Sequence, residues 1–198
     1  DNASTSFHKP DCVFTAVMEA MHQAGNSGRG SSGEAMEASH LIFDTRCRIA
    51  EMFEADGPEC VAFTSNATEA LNTALFGVLH PGDGPVHAIA TEMDHNSVLR
   101  PLYALEKKGL ELTVLPADRK GRISLTDMEA AIRPETKVIV CTHASNLTGN
   151  RNDIHAIGEI AKKHDILFIA DAAQTAGVFP ISMKKDQIDI LCFSGHKG

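Results

Sequence analysis

Residues 166–198 read ILFIADAAQTAGVFPISMKKDQIDILCFSGHKG. An apolar run over residues 166–170 ends in Asp171, with Gln174 three residues later. A second apolar run, residues 188–193, ends in Ser194-Gly195-His196-Lys197. Short apolar runs bounded by polar residues fit strands that are covered on both faces. Two such strands side by side deliver a carboxylate, Asp171, and an amine, Lys197, to one edge of a sheet.

Upstream, the same alternation repeats. Further strands are expected at residues 60–63, 86–90, 112–115 and 138–141. Helices are expected at residues 11–23, 34–54, 67–79, 96–107 and 154–163. The long helix over 34–54 carries apolar positions at Met36, Leu41, Ile49 and Met52. Thr126-Asp127-Met128-Glu129 has the form of a capping box opening a helix toward Ile132. Strands of Val, Ile and Leu between amphipathic helices predict an α/β fold with a mostly parallel, doubly covered sheet. The division expected is an N-terminal segment and helix, residues 1–24, followed by one large domain, residues 25–198. Residues 25–33 (GNSGRGSSG) form a Gly/Ser-rich loop. It follows no strand, so the context of a dinucleotide fingerprint is absent.

Open sheets of this kind bind ligands beyond the carboxyl ends of their strands. Five successive exits carry chemically capable residues. They are Thr64-Ser65-Asn66-Ala67-Thr68, Thr91-Glu92-Met93-Asp94-His95, Thr142-His143-Ala144-Ser145-Asn146, Asp171 with Gln174, and Ser194 with His196 and Lys197. Free N–H groups at the start of a helix near Thr68 suit a phosphate; a plain N-cap is the alternative. His95 has a flat ring that stacks and shuttles protons, or it caps a helix. Asn146 is a donor to a phenolic oxygen, or a turn former. Asp171 closes an apolar strand, where an unpartnered charge is costly; a pyridinium or a helix cap would relieve it. Lys197 is either a surface lysine or the amine beside that acid. Together, acid and amine match what pyridoxal 5'-phosphate (PLP) requires: a lysine for the Schiff base and a carboxylate for the pyridine nitrogen.

Composition narrows the classes. The chain has 198 residues, 43% of them hydrophobic, and a formal net charge of −8. That charge argues against a nucleic-acid surface, which needs clustered Lys and Arg. No apolar run has membrane-spanning length and no signal peptide opens the chain, so neither nucleic acid nor membrane is an expected partner. The five cysteines show no CxxC and read as reduced thiols of a cytoplasmic protein. No HExxH or paired Cys/His spacing points to a metal.

The motifs also carry a family resemblance. Asn66-Ala67-Thr68-Glu69-Ala70, Glu92-Met93-Asp94-His95, His143-Ala144-Ser145-Asn146-Leu147-Thr148-Gly149, Asp171-Ala172-Ala173-Gln174-Thr175-Ala176-Gly177 and Ser194-Gly195-His196-Lys197-Gly198 occur in one order across nearly the whole chain. In this the chain resembles class V aminotransferase-like, fold-type I PLP enzymes, and among them the cysteine desulfurase/selenocysteine lyase branch. The resemblance implies a PLP-binding large domain with a mostly parallel seven-stranded sheet, truncated at the Schiff-base lysine, with the C-terminal small domain missing. It implies catalytic roles for Lys197, His95 and Asp171. It implies that Gln174 and Asn146 reach the phenolic oxygen and that His95 and Ala173 lie on opposite faces of the ring. Ala67, Thr68, Ser194 and His196 are then phosphate contacts.

The activity implied is removal of sulfur from L-cysteine, giving L-alanine and an enzyme persulfide. A homodimer and a sulfur-acceptor protein are the implied partners, with the Gly/Ser loop and N-terminal segment close to the site. The persulfide-forming cysteine and the substrate-carboxylate arginine are expected beyond Gly198; Arg29, Arg100 and Arg151 are weaker candidates for the latter. Other class V activities (aminotransferase, selenocysteine lyase, β-eliminating lyase) and an inactive cofactor-domain fragment are the alternatives.

Overall fold

The computed structural model describes residues 3–28, 32–82 and 84–198. They cluster into two compact units, Asp1–Ala62 and Phe63–Gly198, so the boundary expected after residue 24 falls inside the first. Arg29 and part of the Gly/Ser loop lie outside the described residues, as do Asp1 and Asn2.

The first unit contains α1 (Asp11–Gln23), α2 (Gly33–Phe53) and a 3-10 turn, Pro58–Cys60. Ser32 caps α2 by accepting the Ala35 N–H at 3.3 Å. The apolar positions expected to pack are largely exposed: Met36, Leu41 and Met52 all face solvent. The helix instead buries Ala35, Ala38, Ala50 and Phe53. Small side chains, invisible to a search for large apolar residues, form most of its contact face, with Phe53 at the end. The strand expected at residues 60–63 is not one. Pro58 fixes its backbone dihedral and opens the 3-10 turn, and the residues after it pair with no strand.

The second unit is built on a parallel sheet. Its strands are β1 (Val86–Thr91), β2 (Leu110–Leu115), β3 (Thr136–Thr142), β4 (Leu167–Asp171) and β5 (Ile190–Cys192), in the order β2-β1-β3-β4-β5. Among the described residues the sheet has five strands, not the seven expected. Both edge strands, β2 and β5, lack an outer neighbour there, and β5 is only 3 residues long. Parallel strands require crossovers. α3 (Ala67–Val78), α4 (Asn96–Glu106), α5 (Leu125–Ala130) and α6 (Ile154–Lys163) supply the helical segments. Leu71 and Leu75 of α3 and Val98, Leu102 and Leu105 of α4 pack on Ala88, Ala90, Val138, Val140 and Ile169 of the sheet. Each large aliphatic side chain so buried is worth about 1.5–3 kcal/mol. Ile89, Ile139 and Phe168, at the alternate positions, are also fully buried, so both faces are covered.

The capping box at Thr126 is displaced. Ser124 is the actual cap of α5, its Oγ accepting the Asp127 N–H at 3.2 Å, and Thr126 lies in the first turn. At the amino end of β1, His87 is fully buried. Its Nδ1 lies 2.7 Å from Thr136 Oγ1 on β3 and its Nε2 2.9 Å from Thr113 Oγ1 on β2. Burial, reinforced by the Arg133 charge, pushes its proton affinity down. It thus serves as a neutral cross-strand pin.

Gly158 sits within α6, where alanine would ordinarily be favoured by about 0.8–1.0 kcal/mol. Here a Cβ would lie well inside contact distance of the Asp186 carbonyl oxygen. Overpacking of this kind costs roughly 1–3 kcal/mol and outweighs the propensity gain. Gly158→Ala should therefore lower the denaturant midpoint; an unchanged or raised midpoint would show that residues 182–188 yield to the added methyl.

Candidate functional site at the strand exits

Parallel register brings the carboxyl ends of the strands level. Thr142 of β3 pairs with Asp171 of β4, and Asp171 with Cys192 of β5. Backbone hydrogen bonds extend this alignment past the ladder: His143 N–H donates to Asp171 O, and Ala172 N–H to Cys192 O, each at 2.8 Å. Ser194, His196 and Lys197 follow directly after β5.

Asp171 is buried at the end of β4. Burial pushes its carboxyl above the usual range. The Ala173 N–H, at 2.9 Å from Oδ1, opposes that shift, followed by the charges of His95 and Lys197. The charges of His95 and Lys197 thus both reach the Asp171 carboxyl. Thr175 Oγ1, one residue after Gln174, lies 3.0 Å from His143 Nδ1 and ties the Asp171–Gln174 turn to the β3 exit.

The α3 N-terminus lies beside the β1 exit, where Thr68 Oγ1 is 2.7 Å from Ser97 Oγ. Asn66 is its cap, with Oδ1 accepting the Glu69 N–H at 2.9 Å. Glu69 reaches back to the Ser65 N–H at 2.6 Å. Ala67 is buried in the first turn and Thr68 is exposed. The cap alternative weighed for this segment is thus real, and Asn66 fills it, leaving Thr68 for another use.

Asp94, directly before His95, organises the site. It is 6% exposed. Its Oδ2 accepts the Thr91 N–H at 2.7 Å and the Thr91 hydroxyl at 2.9 Å; its Oδ1 accepts the Thr142 N–H at 2.5 Å. One carboxylate thereby joins the exits of β1 and β3. Burial pushes it up to about 7, against the pull of the Thr91 and Thr142 donors. Its signal in the sequence was an acid directly before His95, in a strand exit too short to leave it in water.

His95 caps α4, its Nδ1 accepting the Ser97 N–H at 3.1 Å. A concavity of about 500 Å³ lies between the β1 and β3 exits, lined by His95 and Asn96 on one side and Ser145, Asn146 and Thr148 on the other. His95 and Asn146 share this cavity. Thr68, Asp171, Ala173, Gln174, Ser194, His196 and Lys197 do not line it. Arg100 is exposed, and Arg151 lies over the Phe179 ring at 5.1 Å.

A buried acid, a ring nitrogen base, an amine and free helix-terminal N–H groups suit a compact anionic heterocycle bearing an aldehyde and a phosphate. Comparison with known proteins agrees. The sequence profile described as Aminotransferase class-V matches residues 1–198. A cysteine desulfurase IscS of Vibrio atlanticus is 35% identical over 189 residues, covering 93% of this chain and 46% of that protein. That of Pseudomonas aeruginosa is 36% identical over 190 residues, again 93% and 46%. The solved structure described as SspA in complex with cysteine superposes with a TM-score of 0.87 at 31% identity, over 100% of this chain and 56% of that one. The apo cysteine desulfurase of Thermococcus onnurineus gives 0.85 at 32% identity, covering 49% of that chain. The chain thus spans about half the length of the relatives it matches.

The Asp94 clamp makes a pH-dependent prediction. Its carboxyl is raised from 3.8 to about 7 on folding. The folded state therefore holds more protons than the unfolded one between those values. The contribution to stability is full below the unfolded value and is lost as pH rises to about 7, at up to ~1.4 kcal/mol per unit. Asn at this position cannot titrate. The unfolding free energy of the wild type minus that of Asp94→Asn should fall as pH rises from about 4 to 7 and be flat above. A difference independent of pH would mean that Asp94 is ionised throughout.

Proposed function

Because the chain belongs to the class V aminotransferase family of PLP-dependent enzymes, we propose that it forms the cofactor-binding part of a cysteine desulfurase. L-Cysteine would be converted to L-alanine, with the sulfur leaving as a persulfide on an enzyme thiol. The observation that carries this reading is the buried Asp171, reached by the charges of His95 and Lys197, in a chain whose relatives are cysteine desulfurases. The cysteine bound to one structural neighbour supports the same substrate class.

When bound, PLP supplies an electron sink for negative charge at the substrate Cα. The chain's own residues do the rest. Lys197 would hold the cofactor through its aldehyde carbon and would move a proton at the substrate Cα. Asp171 keeps the pyridine nitrogen protonated; a carboxyl raised by burial gains most from a cationic partner. His95 and the small Ala173 would border the ring, Asn146 and Gln174 would donate to its phenolic oxygen, and the α3 N-terminus at Ala67 and Thr68, with Ser194 and His196, would hold the phosphate.

Sulfur transfer balances as a substitution at sulfur. A thiolate attacks the substrate Sγ, an S–S bond forms, and the Cβ–S bond breaks. The electron pair stays on Cβ, which takes a proton to become the alanine methyl. None of the five cysteines is assigned that role. Burial raises the Cys141 thiol, and pushes that of Cys192 up to about 12, so neither is a ready thiolate. Cys12, Cys47 and Cys60 belong to the first unit. Cys60, expected inside a strand, is in fact exposed on the 3-10 turn.

A homodimer and a sulfur-accepting protein partner complete the reading. α1 buries none of its residues, and Phe14, Val17, Met18 and Met21 are more than half exposed, as suits a covered face. A cytoplasmic location accords with the free thiols. Among the described residues no helix is long and apolar enough to cross a membrane, and no cluster of ligating side chains suits a metal ion.

Lys197→Ala should abolish borohydride-fixable PLP attachment, as read by mass spectrometry. A pyridoxyl group on Lys184 or Lys185 in the wild type would refute the assignment.

Asp171→Asn, nearly isosteric, should retain PLP but slow alanine and sulfide formation by the whole enzyme at least ~100-fold, the scale of a lost acid–base contribution. Near-normal turnover would reduce Asp171 to a cap on the turn after β4.

A further inference from the structure

Thr68, Ser97 and His95 form a continuous hydrogen-bonded row. Thr68 Oγ1 lies 2.7 Å from Ser97 Oγ, and Ser97 Oγ lies 2.8 Å from His95 Nδ1. Ser97 is buried, at 8% exposure, while Thr68 is exposed at the start of α3. The row therefore runs from the helix end that would face a phosphate to the ring that lines the concavity.

Each hydroxyl owns one proton. Two links must be filled, Thr68–Ser97 and Ser97–His95, and the direction of one sets the other. When Nδ1 is bare, Ser97 gives its proton to Nδ1, so the Thr68–Ser97 link uses the proton of Thr68. Thr68 then presents only lone pairs outward. When Nδ1 carries a proton, Ser97 accepts it and turns its own proton to Thr68. The Thr68 hydroxyl is then free to donate outward. In the mixed arrangement the Ser97 oxygen and a bare Nδ1 would face each other lone pair to lone pair.

We infer that Ser97 is a positioning residue that couples anion binding at Thr68 to the proton on His95 Nδ1. The inference rests on the proposed phosphate contact at Thr68. A phosphate oxygen only accepts, so it selects the state in which Thr68 donates and Nδ1 is protonated. Coupling of this kind is reciprocal. On a neutral ring it moves the proton from Nε2 to Nδ1, so cofactor binding turns Nε2 from a donor into an acceptor. The opposing force is the α4 cap: the Ser97 N–H needs a bare Nδ1. Without an anion the cap holds the row in its first state.

Charged groups bear on the ring from several sides. Asp171 at the end of β4 acts on it electrostatically, and Lys197 after β5 acts on that same acid. Asp94 adjoins it on the β1 exit, and Glu92 lines the same concavity. Glu69 lies beside the other end of the row, at the start of α3. None of these is changed by substitution at Ser97, so a Ser97 variant isolates the row.

The test is side-chain ¹⁵N NMR of the histidines in the folded chain, with inorganic phosphate as the probe and His95 assigned by His95→Gln. In the wild type, saturating phosphate should move Nδ1 from the bare, pyridine-type position to the protonated, pyrrole-type one. In Ser97→Ala that shift should be lost, while phosphate affinity, read by ³¹P line broadening, should be equal or tighter because Thr68 no longer donates inward. Ser97→Thr, which keeps the hydroxyl, should restore the shift. A purely structural role for Ser97 would instead weaken phosphate binding and leave any remaining shift intact. Phosphate that binds the wild type without moving Nδ1, or moves it equally in Ser97→Ala, would overturn the coupling alone. Absence of phosphate and PLP binding in the wild type would overturn the phosphate contact at Thr68, and the coupling with it.

Discussion

Two backbone N–H groups and a hydroxyl converge on the buried Asp94 carboxylate, from strands that are adjacent in space but far apart in sequence. The contact to Thr142 spans 48 residues and closes the gap between the β1 and β3 exits. Those exits carry His95 and Asn146, which face one cavity because their loops are joined at its base. A carboxylate suits this place: it accepts only, and every group offered to it is a donor. Burial works against the charge, so the clamp is held by its partners and not by solvent.

A second buried acid, Asp171, repeats the design one strand further along the sheet. It too is raised by burial, but fewer donors compensate it. Under the proposed function, a cationic ring nitrogen would meet the remaining demand for positive charge. The Thr91 and Thr142 donors to Asp94 outnumber the Ala173 donor to Asp171, although each acid follows an apolar strand. Asp94 also adds to the pressure on Cys141, whose thiol both acids push up. Thiols behind this sheet edge are thereby kept out of nucleophilic chemistry.

Histidines show how context divides one residue type. His87 is enclosed at the amino end of β1 by two threonines on flanking strands, which consume both ring nitrogens. His95, at the other end of the same strand, spends one nitrogen on a helix cap and lies in a cavity with the other. His143 lies between them in exposure and ties the Asp171–Gln174 turn to the β3 exit.

The parallel sheet was legible in the chain because its strands are apolar on both faces, and the strand exits because polar residues follow each run at once. Asp171, His95 and Lys197 are site candidates for the same reason: each stands within a few residues of a strand end. Local signals of small reach failed where a neighbour decided the outcome. Residues 60–63 have the apolar content of a strand yet form none, because a strand exists only with a partner to pair. Three of the four buried residues of α2 are alanines, which periodicity of large residues cannot see. The cap of α5 is Ser124 and not Thr126, since the backbone turn, and not the motif, sets where free N–H groups begin. The roles of Asp94 and Ser97 belong wholly to the tertiary structure. Their partners, Thr142 and Thr68, lie 48 and 29 residues away. Sequence alone determined which residues reach the sheet edge, because strand period and strand ends are local; only folding decided which of them touch, because that depends on strand order.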